Sequence, residues 1–313
     1  MFKTFPEFSK LTLADREEYE GFIKQYPPVG DISFVSMMTW WEGMGSADVS
    51  TLNGNLVISY WVPGDEEQTG LCLVGTNDIE HSICTIFDYL RSKGERARLT
   101  NVPEFVVHSL RYPELFSFTS LHHEDEYVIP LSRLADIDEI PGFRRARIKR
   151  FMKAHTTEQI EIRKLDLTNE DNQGLFIDAA ERWPKVGFND LGSVEAKVLV
   201  HTIQHASEIG IENVSCFVGN ELQAYCLYHP PHDNQYIIAD NARFNYAVPG
   251  IFDYASFAFA KYFRHSGVVY ANIHADMGFA KLRVFKLALR PSNFFRKYIV
   301  EPVKDRKHAD RIR

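Results

Sequence analysis

The chain has 313 residues, 45% hydrophobic and 25% charged, with 23 Phe and 14 Tyr to fill a core; this excludes an intrinsically disordered protein and exceeds what one core usually serves. A net charge of −7 excludes a broad nonspecific nucleic-acid footprint, and the cysteines Cys72, Cys84, Cys216 and Cys226 form no C-x-x-C pair or zinc-type His/Cys spacing, which excludes a disulfide framework and a structural zinc. No apolar run reaches the ~18 residues of a spanning helix, and the start MFKTFPEFSKLTLADREEYE lacks signal-peptide order, so a cytoplasmic protein is expected.

The opening residues read as a strand and then a helix near 14–25. After the turn YPPVGD, a helix is predicted near 33–44, followed by hairpin strands in NGNLVISYWVPG and GLCLVG. A helix near 79–93, the strand ARLTNV, a short helix from Pro103 to Leu110 and a strand near 126–131 complete the first half. At Pro141 and Gly142 the composition turns abruptly basic, so the expected division is one α/β domain over 1–140 and another over 141–313.

The second half predicts a strand at 160–165 and helices near 169–182 and 193–208. Strands in NVSCFVG, ELQAYCLYH and NQYIIADNA follow, the first two joined by a tight turn at Gly219 and Asn220. A helix over about 249–264, strand VVYANIH, a helix over 279–289 and a closing strand FFRKYIV finish the chain. This mixed α/β order matches that of a GCN5-related N-acetyltransferase-like domain, and the first half reads as a related unit.

Charge is segregated. The segments 141–153 and 281–297 each hold six basic residues and no acidic one; together they carry +12 against a net of −7, so the rest stands at −19. On the predicted helix 279–289, Arg283, Lys286 and Arg290 recur at spacings of three and four and share one face, beside the apolar face of Phe279, Leu282, Phe285 and Leu289. Such a stripe on a largely buried helix points at an anion, either a ligand or an internal Asp240, Asp253 or Asp276. Asp276, before Gly278 at a strand-to-helix junction, is the candidate catalytic carboxylate, serving as general base or ammonium anchor; its structural alternative is to cap backbone donors.

Asp240 and Asn241 end a strand just before the loop ARFNYAVPG. Arg243 and the amides around Gly250 are the candidate phosphate ligands for a coenzyme A donor, although Pro249 has no amide hydrogen and the loop holds a single glycine. Arg147, Lys149 and Arg150 are the candidate nucleic-acid contacts. His201, His205 and Glu208 share a helix face but read as solvated residues, and no metal site is expected. No G-x-S-x-G, Walker loop or dinucleotide fingerprint is present.

The run YANIHADMGFAKLRVFKLALRPSNFFRKYIV (270–300) resembles the C-terminal signature of a bacterial family of uncharacterised proteins related to the phosphatidylglycerol lysyltransferase C-terminal domain. Asn272, Asp276, Gly278, Leu282, Arg283, Lys286, Pro291, Lys297 and Tyr298 match its pattern. EYVIPLSRLADIDEIPGFRRARIKRFMK is similar to the segment joining that family's halves, through Leu134, Ala135, Lys149 and Arg150. The resemblance implies tandem acetyltransferase-like domains with the pocket in the C-terminal one, and substrate contacts from Asn272, Arg283, Lys286, Lys297 and Tyr298, to which strand position and helix spacing add Asp240, Asn241 and Arg290 as candidates. It also implies an acyl-group transferase in which an aminoacyl-tRNA gives its aminoacyl group to an amine or hydroxyl of a small molecule or lipid headgroup. The acetyltransferase fold offers acyl-coenzyme A as the alternative donor, and a noncatalytic anion-binding module is a third possibility. Where the family carries acidic residues before its Asp, this chain has Ile273, His274 and Ala275, and where it carries a histidine and a Glu-Lys pair this chain reads YIIADN; roles tied to those side chains do not transfer.

Overall fold

Apolar alternation and two helical crossovers build a pair of seven-stranded mixed sheets in this computed structural model, which describes residues 2–303 apart from 42, 44, 63, 65, 67, 68, 184–191, 233 and 234. The strands are β1 (Ser9–Lys10), β2 (Ser46–Leu52), β3 (Asn55–Trp61), β4 (Gly70–Val74), β5 (Leu99–Pro103), β6 (Phe116–Ser120) and β7 (Glu126–Pro130). They continue as β8 (Ile160–Arg163), β9 (Glu212–Val218), β10 (Glu221–His232), β11 (Tyr236–Phe244), β12 (Tyr270–Asn272), β13 (Asn293–Phe295) and β14 (Lys297–Pro302). The first sheet runs β1-β2-β3-β4-β5-β14-β6 and the second β13-β7-β12-β11-β10-β9-β8.

Both sheets follow one plan. Four antiparallel strands lead through a helix to a parallel fifth: β4 through helix Ile79–Ser92 to β5, and β11 through helix Ile251–His265 to β12. A parallel neighbour cannot be reached by a hairpin, so the crossover must carry a helix back over the sheet. In Ile79–Ser92 the buried positions Ile79, Ile83, Ile86, Phe87 and Leu90 recur at helical spacing and pack on Leu71, Leu73, Leu99 and Val102. In Ile251–His265 the stripe Ile251, Ala255, Phe259 and Phe263 covers Val214, Cys216, Ala224 and Ala271. The architecture is the expected mixed α/β fold, with one strand-and-helix plan present twice.

The units do not divide at residue 140. The first comprises residues up to Asp125 plus the segment from Phe295, and the second is Glu126–Phe294. The reason is strand pairing. In β7, Val128, Ile129 and Pro130 pair antiparallel with Asn272, Ala271 and Tyr270 of β12, and Tyr127, Val128 and Ile129 are buried. In β14, Val300 enters the core of the first unit beside Leu99, Val102 and Phe116. The expected closing strand FFRKYIV is therefore two strands, interrupted at Arg296, which belong to different sheets. The predicted hairpin, the three strands after residue 211 and the main helices form, whereas β2 and β6 were not predicted.

Candidate functional site

The parallel pairing of β11 with β12 lasts three residues, Tyr236, Ile237 and Ile238 against Tyr270, Ala271 and Asn272. β11 continues to Phe244 bound only to β10, so one edge of β11 opens where β12 ends. At that point Ala239 pairs with Tyr228 and Asn241 with Leu227, which leaves Asp240 as the extra residue of a β-bulge. Bulges re-aim side chains, and here the result is a nearly inaccessible carboxylate. The Asp240 side chain is 1% exposed, and its Oδ1 makes no hydrogen bond although His229 Nε2 lies 3.5 Å away and His274 Nε2 3.7 Å away. Asn241 is also buried, with an Oδ1 that makes no hydrogen bond. Burial, with a contribution from the charge of Asp240, pushes the nearby Cys226 thiol up to about 12, so it stays protonated at neutral pH.

The loop after β12 is held from two directions. Lys286, on helix Ala280–Ala288, is buried and donates to three successive carbonyls, those of Ile273 (2.5 Å), His274 (3.0 Å) and Ala275 (2.6 Å). Asp276 accepts from the Tyr127 hydroxyl (2.6 Å), the Gly278 amide (2.9 Å), and Arg283 Nε (2.8 Å) and Nη2 (2.9 Å). Burial alone would raise the pKa of Asp276, but these hydrogen bonds and the guanidinium charge outweigh it and hold the carboxyl below its ordinary value. Tyr127 moves the other way, to about 12, through burial first and then its hydrogen bond to Asp276, so it remains a donor. Within the loop His274 (φ 57°), Met277 (φ 51°) and Gly278 (φ 79°) adopt left-handed conformations, and Asn272 Oδ1 accepts from the His274 amide at 2.9 Å. Asn272 Nδ2 in turn donates to the buried Glu126.

These placements separate the expected site residues. Asn272, Asp276, Arg283 and Lys286 converge on the 272–278 loop, and Asp240 approaches it from β11, where Asn241 is the next residue. The basic stripe does not form: the helix ends at Ala288, and Arg290, with φ 60°, donates to the Glu139 carbonyl at 3.2 Å. Nor is the helix largely buried, since Lys286 is its one buried residue while Val284 and Leu287 are exposed; Arg283 pairs with Asp276 and Lys286 with carbonyls. Asp276 has four donors on its oxygens, which leaves little capacity to accept a proton from an amine. Lys297 and Tyr298 belong to the first unit, where Lys297 is buried against Asp31 and Tyr298 packs edge-on with Phe118 at 6.5 Å.

The supposed phosphate loop is a packing device. Gly250 (φ 85°) abuts helix Gly142–Ala154, and a Cβ there would stand 3.1 Å from the Arg147 carbonyl oxygen. The Ile251 amide donates to the Val248 carbonyl, and the first helical turn already contains the buried Asp253 carboxylate, bonded to Arg144 at 2.7 Å with Arg147 at 3.5 Å. Arg243 sits on β11 with its Nε buried. The basic helix buries Arg144, Ile148 and Phe151 along one face, which leaves Arg147, Lys149 and Arg150 exposed. A cleft of about 160 Å³ lined by Phe143, Arg147, Phe252 and Phe285 lies beside Asp253.

Sequence reasoning missed His229, Glu126 and Tyr127 and treated His274 only as a departure. The signal for Tyr127 and Glu126 was their place in a strand of unassigned partner; His229 had no local signal, because its neighbour Asp240 is brought up by the bulge.

A solved protein of unknown function from Bacteroides thetaiotaomicron matches at 19% identity and a TM-score of 0.79, covering 95% of this chain and 99% of its own. The C-terminal domain of a putative lysylphosphatidylglycerol synthetase from Agrobacterium fabrum matches at 12% identity and a TM-score of 0.61, over 92% of each chain. L-PGS from Bacillus licheniformis matches at 15% identity and a TM-score of 0.58, over 93% of each chain. At these identities the likeness establishes the fold. No curated protein matches. The family model described as phosphatidylglycerol lysyltransferase, C-terminal, covers residues 24–301, so the chain belongs to that family.

Proposed function

We propose that this protein is an acyl-group transferase that moves the aminoacyl group of an aminoacyl-tRNA to an amine or hydroxyl of a small molecule or lipid headgroup. The observation that carries this reading is the wedge between β11 and β12, where strand pairing stops after Ile238 and Asn272 and the buried Asp240 and Asn241 present oxygens without hydrogen bonds. An ester carbonyl laid along the open edge of β11 meets backbone donors, and the acceptor approaches the polar groups beside it. Catalysis of this kind rests on positioning and on fixed dipoles at the reacting carbonyl. Family membership supports acyl or aminoacyl transfer in general. Among the described residues no helix is long and apolar enough to cross a membrane, so a lipid acceptor would be met at a surface.

Coenzyme A is the less favoured donor. A pyrophosphate at the start of helix Ile251–His265 would meet the Asp253 carboxylate in the first turn, and the Gly250 region is closed by Arg147 and Phe151. The exposed Arg147, Lys149 and Arg150 offer point charges suited to a polyphosphate backbone instead. The test incubates the purified chain with a radiolabelled aminoacyl-tRNA mixture and phosphatidylglycerol vesicles, and in parallel with radiolabelled acetyl-coenzyme A and primary amines. Label passing from tRNA into lipid or another acceptor is the expected result. Transfer from coenzyme A alone would replace the donor, and transfer from neither would favour a binding module.

A further inference from the structure

We propose that His274, oriented by Asp240, takes the proton from the acceptor during transfer; this rests on the transfer function above and names the group that performs its proton step. A buried carboxylate beside an imidazole stabilises the imidazolium that proton uptake creates and sets the orientation of the ring. Asp240 has that position, 3.7 Å from His274 Nε2, and its side chain is almost fully removed from solvent. The gap exceeds a hydrogen bond, as is common for catalytic pairs before substrate closes the site. His229 approaches the same oxygen at 3.5 Å but is the more enclosed imidazole, at 10% exposure against 18% for His274. His274 is therefore the less enclosed of the two rings, and because its Nε2 is buried against Asp240 the acceptor's proton enters at Nδ1.

The backbone supplies a second argument. His274 has φ 57°, a left-handed conformation that crowds the Cβ of an L residue. Two bonds hold it there: its amide donates to Asn272 Oδ1, and its carbonyl accepts from Lys286. Such a conformation persists where the surroundings over-determine it, and it occurs preferentially at sites of function. Asp276, the nearby carboxylate, is already occupied by four donors. Asp276 therefore has little capacity left for the proton.

In the proposed step the acceptor nitrogen or oxygen attacks the ester carbonyl carbon, and its proton passes to the His274 imidazole as the new bond forms. When the bond to the ribose oxygen breaks, that oxygen takes the proton from the imidazolium and leaves as the hydroxyl of the tRNA. Atoms and charge balance without a further reactant.

The experiment measures single-turnover transfer from radiolabelled aminoacyl-tRNA by the full chain and by His274→Ala, His274→Gln and Asp240→Asn, with donor binding followed by filter retention and folding by thermal melting. His274→Ala is expected to slow transfer by about 10²–10⁴-fold while donor affinity and melting stay unchanged, and added imidazole is expected to restore part of the rate. Asp240→Asn is expected to slow transfer without rescue by imidazole, because the ring is still present. A His274→Ala protein that transfers at the unsubstituted rate, or that loses rate without imidazole rescue, overturns the proposal while leaving the transfer function standing. Absence of transfer by the unsubstituted protein overturns the transfer function, and the proposal with it.

Discussion

Arg283 closes on Asp276 with two parallel hydrogen bonds, Nε to Oδ2 at 2.8 Å and Nη2 to Oδ1 at 2.9 Å. The two residues are seven apart, so the contact ties the loop to the helix that follows it and sets where Asn272 and His274 stand. Arg283→Ala is expected to lower the thermal midpoint, and Arg283→Lys to recover little, because one ammonium cannot reproduce the parallel pair. Scanning fluorimetry of both variants checks this; a lysine variant that melts with the native protein would show that the fork geometry is dispensable.

The same carboxylate gives the protein an acid-sensitive element. The pKa of Asp276 in the fold lies below its ordinary value: burial works against this, and the Arg283, Tyr127 and Gly278 hydrogen bonds overcome it. Its contribution to stability is therefore fully present above the unfolded carboxyl pKa of about 3.9 and is lost as pH falls through the lower folded value. Denaturant midpoints for native protein and Asp276→Asn should differ at neutral pH and converge in acid. A gap that persists in acid would mean that the charge on Asp276 is not its source.

Lys286→Met removes an ammonium bonded to three carbonyls while keeping most of the buried stem. Those carbonyls lose a charged donor, at a cost of about 2–3 kcal/mol. Chemical denaturation should show that loss, and proteolysis within 273–278 should accelerate. Equal stability in the methionine variant would show that solvent replaces the ammonium easily.

Gly250→Ala tests the reading of that loop as packing. The residue has φ 85°, and an added Cβ would meet the Arg147 carbonyl at 3.1 Å and Phe151 Cβ at 3.3 Å. The left-handed backbone alone costs about 1–2 kcal/mol, so a loss of at least that size is expected by urea titration. Unchanged stability would reopen the loop to a ligand role.

The charges on helix Gly142–Ala154 make a separate prediction. Replacing the exposed Arg147, Lys149 and Arg150 by Glu should weaken binding of charged tRNA and flatten its salt dependence, by about 0.7–0.9 in log–log slope for each phosphate no longer neutralised. Filter binding at several salt concentrations measures both. An unchanged slope would place the tRNA elsewhere.

Local order was readable wherever the pattern is local. The strands around Gly219 and Asn220 and the crossover helices follow from alternation and helical spacing, and the loop residues Asn272, Asp276 and Gly278 carried the family signature. Arg283 and Lys286 were expected to face one anion, either a ligand or an internal carboxylate; the half-exposed Arg283 takes the internal Asp276, whereas the buried Lys286 lowers the cost of its burial by taking the carbonyls within reach.

The sequence by itself determined the mixed α/β class, the pair of related units, the family and the segment holding Asp276. Tertiary structure alone decided that β7 joins the second sheet and β14 the first, which makes Lys297 and Tyr298 residues of the first unit. It alone decided that a bulge would turn Asp240 toward His229 and His274, residues on three separate segments. The physical reason is range: helix and strand periodicity are set by neighbours a few residues away, whereas sheet partners and charge pairs are chosen by burial and register across the whole chain.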